Sequence, residues 1–362
     1  MQNHRYPLMI GGTLYSVEEQ LNGALAQRLM IDNELVGYCL CRGESQVGLG
    51  IRVIRRPERL GYRLARAPGT ADKHSWFCMF HSPGRQMSGL ASYIDDAIVE
   101  SPDGFIEVHL GKNLIRSDEH QKVQDHLHNP SKRRRLSLQA LLNLLWAESK
   151  LNFWYDSEQC RRRMGLVMAE IRRTSTRCYS QGQPLSEHLL IGAVRGSQAD
   201  TSNAQVAAKA LKAGDSVILI GMMQRYDPRR HAHRIAKLPI MGVCGVATVF
   251  LSDQKWRQAQ KQYANELELW QNSQAVVVVA RLVLTEAAPF IYANVKDIAL
   301  MALSDAWMPV SSTIEVTIEK KLRSEKHTFL KPLRYDAPKD YPLPNFWVIQ
   351  GSSEHPIPIN LQ

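Results

Sequence analysis

The feature that most constrains this chain is a set of thiols and imidazoles placed on either side of one apparent β-hairpin. Cys39-Leu40-Cys41 precedes it, and His74-Ser75-Trp76-Phe77-Cys78 follows it. Between them, residues 46–56 and 61–66 are two apolar and basic runs separated by Pro57-Glu58-Arg59-Leu60, a pattern that predicts paired strands. Pairing brings the outer ends together. Cys39, Cys41, His74 and Cys78 then converge as three thiolates and one imidazole, a tetrahedral donor set suited to one structural Zn2+. His81 competes with His74 for the fourth place, and the alternative to ligation is a set of free thiols in a small core. Four protein ligands leave no open position for water or substrate, so such a site serves folding and not catalysis. Cys160, Cys178 and Cys244 stand alone and are expected to be inert.

Six cysteines are too few to staple 362 residues, which favours a reducing compartment. Apolar runs such as 275–280 fall far short of the roughly 20 residues that span a bilayer. The residues Met1-Gln2-Asn3-His4-Arg5-Tyr6-Pro7 lack the apolar core of a secretory signal. The expected location is the cytoplasm, without a membrane partner.

The formal charge of +10 and pI near 9.3 favour a polyanionic partner. Seven of the ten net charges fall within residues 131–180, where eleven Lys and Arg face four carboxylates. Ser137 reads as an N-cap for a helix carrying Leu138, Leu141, Leu142, Leu145 and Trp146 at helical spacing. A second helix is expected from Ser157 to Arg177, ended by Gly182 and Pro184. On its wheel Met164, Val167, Met168 and Ile171 form one side, while Arg161, Arg162, Arg163, Arg172, Arg173 and Arg177 occupy about 0° to 200°. So many guanidinium groups repel one another unless phosphates or an acidic surface neutralise them. Helix, turn, arginine helix and an extended segment over 184–191 resemble a winged helix-turn-helix. Arg133, Arg134 and Arg135 make an adjoining basic arm, and Arg229 and Arg230, with His231 and His233, read as a basic surface strand.

The expected fold class is α+β. A zinc-stabilised β-rich domain covers 1–116, a basic linker 117–136, a winged-helix-like basic region 137–192 and a mixed α/β domain 193–362. Within the last, 216–222, 241–251 and 275–284 read as strands. Trp256, Tyr263, Leu267 and Trp270 mark helix, and Ser312-Thr313-Ile314-Glu315 resembles a capping box.

Several segments resemble the bacterial domain-of-unknown-function family numbered eleven seventy-three. They are Cys39-Leu40-Cys41, Tyr62-Arg63-Leu64-Ala65-Arg66-Ala67-Pro68-Gly69-Thr70, His74 with Cys78, Leu141 to Glu148 with Leu151-Asn152-Phe153-Trp154, Trp307-Met308-Pro309-Val310 and Leu333-Arg334-Tyr335-Asp336. The resemblance covers most of the chain and implies a plasmid or integrative-element setting. It also implies a Gly-Glu-x-Lys-like segment after 216–220, where this chain has Gly221-Met222-Met223-Gln224. An acid and a lysine there would suit a metal-dependent nuclease; Asp215, after Gly214, reads as a turn residue instead. Phosphate loops, nucleophile elbows and Gly-x-Gly-x-x-Gly openings are missing from the sequence. The reading is a nucleic-acid-binding accessory protein, DNA preferred, working without catalysis beside other proteins of a mobile-element system. A metal-dependent nuclease and a protein-interaction subunit are the alternatives.

Overall fold

The computed structural model describes residues 5–21, 24–29, 36–43, 49–56, 61–101, 103–111, 114, 135–156, 162–231, 235–350 and 356–360. Strands β1 (Leu8–Ile10), β2 (Thr13–Tyr15), β3 (Val36–Cys39), β4 (Leu49–Arg56) and β5 (Gly61–Arg66) form an antiparallel sheet in the order β2-β1-β3-β4-β5, accompanied by short helices α1 (Val17–Leu21) and α2 (Ala24–Leu29). The expected hairpin is present, with Ile51 opposite Arg66 and Arg56 opposite Gly61; the turn at 57–60 lies outside the described residues. Among the described residues, the buried core here comprises Leu8, Ile10, Tyr15, Leu25, Leu29, Ile51 and Phe80, with Cys39, Cys41 and Cys78.

Next come β6 (Ile98–Glu100), β7 (Ile106–Val108), α3 (Leu138–Glu148), β8 (Phe153–Trp154), α4 (Met164–Ser175), β9 (Cys178–Ser180) and β10 (Gln183–Pro184). Ser137 caps α3 as the sequence predicts, its Oγ accepting from Ala140 N at 3.2 Å, and Leu141, Leu142, Leu145 and Trp146 are fully buried. The second helix departs from expectation by starting at Met164. Arg163 is extended at φ −129°, because Arg162 is anchored behind it. The Arg162 guanidinium is buried, donates to Leu151 O (2.8 Å) and Phe153 O, and lies over the Trp154 ring. Residues 157–161 lie outside the described residues.

The remaining elements are β11 (Leu189–Ile191), α5 (Gln198–Ala213), β12 (Ser216–Met222), α6 (Pro228–His231), β13 (Thr248–Phe250), α7 (Asp253–Gln262), α8 (Ala264–Gln271), β14 (Ala275–Ala287), β15 (Phe290–Leu303), β16 (Pro309–Val310), α9 (Thr313–Ser324), β17 (Thr328–Leu330), β18 (Phe346–Ile349) and β19 (Ile357–Ile359). A mixed sheet runs β11-β12-β14-β15-β13, with β16 on β15. Every residue of β12 is buried, as expected of a β-branched run covered on both faces. Gly214 ends α5 at φ 72°, and Asp215 N donates to Ala210 O at 2.9 Å, so Asp215 is the turn residue the sequence suggests. The apolar run at 241–251 yields strand only at Thr248–Phe250. The helical pattern of 256–270 divides into α7 and α8 at Tyr263. A single apolar core joins α3 and α4 to this mixed sheet. Among the described residues no helix is long and apolar enough to cross a membrane.

The C-terminal segment closes the fold. β17 pairs with β8, Phe329 opposite Trp154. Asp336 accepts from Tyr93 Oη, Ser137 Oγ and, at 3.1 Å, Ser137 N. Gly89 N donates to Leu333 O at 2.9 Å, and a Cβ at Gly89 would stand 1.8 Å from Arg334 O, so only glycine fits that crossing. Ser312 caps α9 through Glu315 N at 3.2 Å, while Glu315 accepts from Ser311 N (2.7 Å), Asn345 Nδ2 (2.6 Å) and Lys331 Nζ (2.5 Å).

Burial opposes ionisation of Glu315, but Lys331, Asn345 and Ser311 outweigh it and hold the carboxyl below the usual carboxylate range. Because the folded pKa is depressed, this contribution is present above the unfolded value of about 4.3 and is lost as pH falls through the folded value. Glu315→Gln strands a buried ammonium, so urea unfolding at neutral pH is expected to show a loss of about 3–5 kcal/mol. The variant's stability should also fall less than the wild type's between neutral and acid pH.

Candidate functional site

The end of β3 and the segment after β5 meet as the sequence predicts. Ligand atoms of Cys39, Cys41, His74 and Cys78 all lie within 4.8 Å of one another, and all four residues are buried. Cys39 Sγ is 3.6 Å from Cys78 Sγ, and His74 Nδ1 is 3.4 Å from Cys41 Sγ and 3.7 Å from Cys78 Sγ. A sulfur pair at 3.6 Å is well beyond the bonded distance of about 2.05 Å, so no disulfide joins them. Metal bonds of about 2.3 Å to sulfur and 2.0–2.1 Å to nitrogen, at tetrahedral angles, put ligand atoms about 3.5–3.8 Å apart. The four residues therefore fit one tetrahedral metal ion. Backbone N–H groups support the sulfurs: Ser75 N donates to Cys41 Sγ at 3.3 Å and Phe80 N to Cys78 Sγ at 3.5 Å.

The thiols divide their protons unevenly. Hydrogen bonds from Cys39 and Cys78, with His74 and Ser75 N, hold Cys41 below the ordinary thiol range. Contacts with Cys41 and Cys78, and burial, push Cys39 up. A divalent cation would displace the remaining protons. His81 is not the fourth ligand. It is buried against Trp76 with ring centroids 4.3 Å apart, outside the cluster, and burial, with Lys150 and His74 nearby, lowers its pKa far below the histidine range.

The arginines have separate destinations. Arg133, Arg134 and Arg161 lie outside the described residues, and Arg135 is exposed just before α3. Arg162 is a buried fastening of 151–154, which removes it from any surface. Arg172 donates to Ile191 O (3.0 Å) and Asn203 Oδ1 (3.2 Å), and exposed Arg173 pairs with Glu170 at 2.6 Å. Arg229 and Arg230 are exposed on α6, a single helical turn and not the expected strand. Asp227 Oδ1 accepts from Arg229 N at 2.9 Å, and His231 Nδ1 accepts from Asp227 N at 2.9 Å. These bonds and Pro228 at the first position favour helix. His231 is consequently buried, its ring centroid 5.0 Å from that of Trp270; His233 lies outside the described residues.

Arg172, Arg173 and Arg177 share a cleft of about 970 Å3 with the face of β5 and the segment after Cys78. Its lining holds six cationic side chains, Arg5, Arg66, Lys150, Arg172, Arg173 and Arg177, against Glu100, Glu148 and Glu170. Arg66 reaches Glu100 (Nε to Oε1, 2.9 Å) and Glu148 (3.6 Å). Burial works against the Glu148 charge, but Arg66, Arg177 and Lys150 outweigh it and keep the carboxyl below its usual range. Burial, with Arg66 beside it, lowers the Lys150 ammonium to about 8. Arg66 and Glu148 fall in segments that carry the family resemblance, but neither they nor Lys150 were assigned a role from the sequence. The available signal was charge abruptly following the apolar face of α3.

Protein purified without added metal is expected to carry close to one divalent ion per chain by elemental analysis. Cys41→Ser should lower that content and loosen residues 39–81 in hydrogen exchange, while the mixed sheet keeps its protection. A metal-free wild type with the same protection at 39–81 would remove the metal site.

No curated protein and no solved structure matches this chain. The resemblance carried by the Cys39–Cys78 motifs and the C-terminal segments extends over nearly the whole sequence. The family model described as protein of unknown function (DUF1173) matches residues 11–362, and the chain belongs to that family.

Proposed function

We propose that this protein is a nucleic-acid-binding accessory subunit of mobile-element machinery, with DNA the preferred polymer and a structural Zn2+ bracing its N-terminal sheet. Three thiolates with one imidazole favour zinc over harder cations, and a four-ligand set gives the ion a folding role. The observation that carries the binding reading is the cleft, where six cationic side chains meet three carboxylates. Two of those carboxylates are engaged by Arg66 and the third by Arg173. The cations left without a carboxylate are Arg5, Lys150, Arg172 and Arg177, a setting that favours phosphates. Arg135, Arg229 and Arg230 are exposed and lie outside the lining of the cleft, with Arg133 and Arg134 next to Arg135 in the sequence; they are further candidates for phosphate contact.

Affinity for oligonucleotides should fall linearly with salt on logarithmic axes, by about 0.7 per neutralised phosphate on single strands and 0.9 on duplex. Replacing Arg5 and Arg177 together by Gln is expected to flatten the slope by about 1.4–1.8. Anisotropy titrations across several salt concentrations measure it. Salt-independent binding, or none at low ionic strength, would transfer the basic surface to an acidic protein partner.

A further inference from the structure

Lys150 ends α3 in a conformation that lysine seldom adopts. Its φ is 57°; its N–H donates to Ala147 O (2.9 Å), and that of Leu151 to Trp146 O (3.0 Å). Glycine is the usual residue at this helix-ending position, since a side chain is sterically disfavoured there. The ammonium lines the cleft and has no hydrogen bond or ion pair within 4.0 Å among the described residues. Arg177 lines the same wall. One of its terminal nitrogens donates to Glu148 O at 3.4 Å, and its Nε is buried without a partner among the described residues. Glu148, whose carboxylate feels both cations, already serves Arg66.

Half-buried Tyr62 and Phe105 also line the cleft, Phe105 packing against Tyr179 with ring centroids 4.7 Å apart. Cations without a carboxylate of their own that share a cleft with aromatic rings are the combination that holds single strands, where phosphates follow the charge and unstacked bases meet the rings. A duplex keeps its bases inside and its phosphates on a rigid rim, so it cannot seat both groups in a recess. At about 970 Å3, the cleft lies at the upper end of the ~300–1,000 Å3 common for sites that enclose a ligand.

The geometry points to a seat for single-stranded nucleic acid, with Lys150 and Arg177 holding a phosphodiester and the rings of Tyr62 and Phe105 receiving the flanking bases. This rests on the nucleic-acid reading and specifies where and in what form the polymer binds.

The test uses the full, metal-loaded chain and a labelled oligo-dT of about twelve nucleotides, against a blunt duplex of equal length. The single strand should bind about tenfold or more tightly than the duplex, and Lys150→Gln should weaken it by about tenfold. Lys150→Gly should weaken it similarly while its melting temperature holds or rises, which a merely structural lysine would not do. A Lys150→Gln protein that binds the single strand like wild type overturns the seat. Salt-sensitive binding that is equal for both forms and indifferent to Lys150 overturns the seat alone. No binding of either form at low salt overturns the nucleic-acid reading as well.

Discussion

Convergence of four ligand atoms within 4.8 Å is the constraint on which the N-terminal part of this protein depends. Among the described residues, three of the ten buried side chains of the core under the first sheet are cysteines of this cluster, so the ligands are part of the apolar packing itself. The reach of the cluster extends past the ligands: Phe80, whose N–H supports Cys78, and Met79 both face the cleft. That part of the cleft lining is thus joined directly to the Cys/His cluster.

The positive charge of the chain does more than one job. Arg66, Arg162 and Arg172 spend theirs largely on internal carboxylates and carbonyls. Arg66 in particular joins β5 to β6 through Glu100 and to α3 through Glu148. Guanidinium suits this work because its fork meets several acceptors at once. A formal charge of +10 therefore overstates what is offered to a partner, and the position of each group decides its use.

Local chemistry was readable in advance where a short pattern has one physical solution. The ligand set, the β4–β5 hairpin, the Ser137 and Ser312 caps, and β12 all belong to this class. The arginine wheel failed for a different reason. Its apolar side was right, with Val167, Met168 and Ile171 buried. But periodicity assumes helix through Arg162, and tertiary anchoring to Leu151 and Phe153 pulls that residue inward. The basic strand at 229–233 failed likewise, because the Asp227 bonds to Arg229 and His231 are local turn chemistry that residue alternation does not register. Lys150 was hidden because positive φ at a lysine has no sequence signature. The cleft joins residues far apart in the chain, so no single window contains it.

Asp336 holds the capping serine of α3 and the Tyr93 hydroxyl across separations of 199 and 243 residues. During synthesis the chain emerges N-terminus first, so α3 exists for most of that time without its carboxylate, and β8 without β17. The middle of the molecule must wait for residues 199 positions later to leave the ribosome. A chain stopped before Asp336 therefore retains a helix whose buried face is formed but whose mooring is missing. Synthesis as far as Asp336 is in this sense checked by the fold itself, through one aspartate.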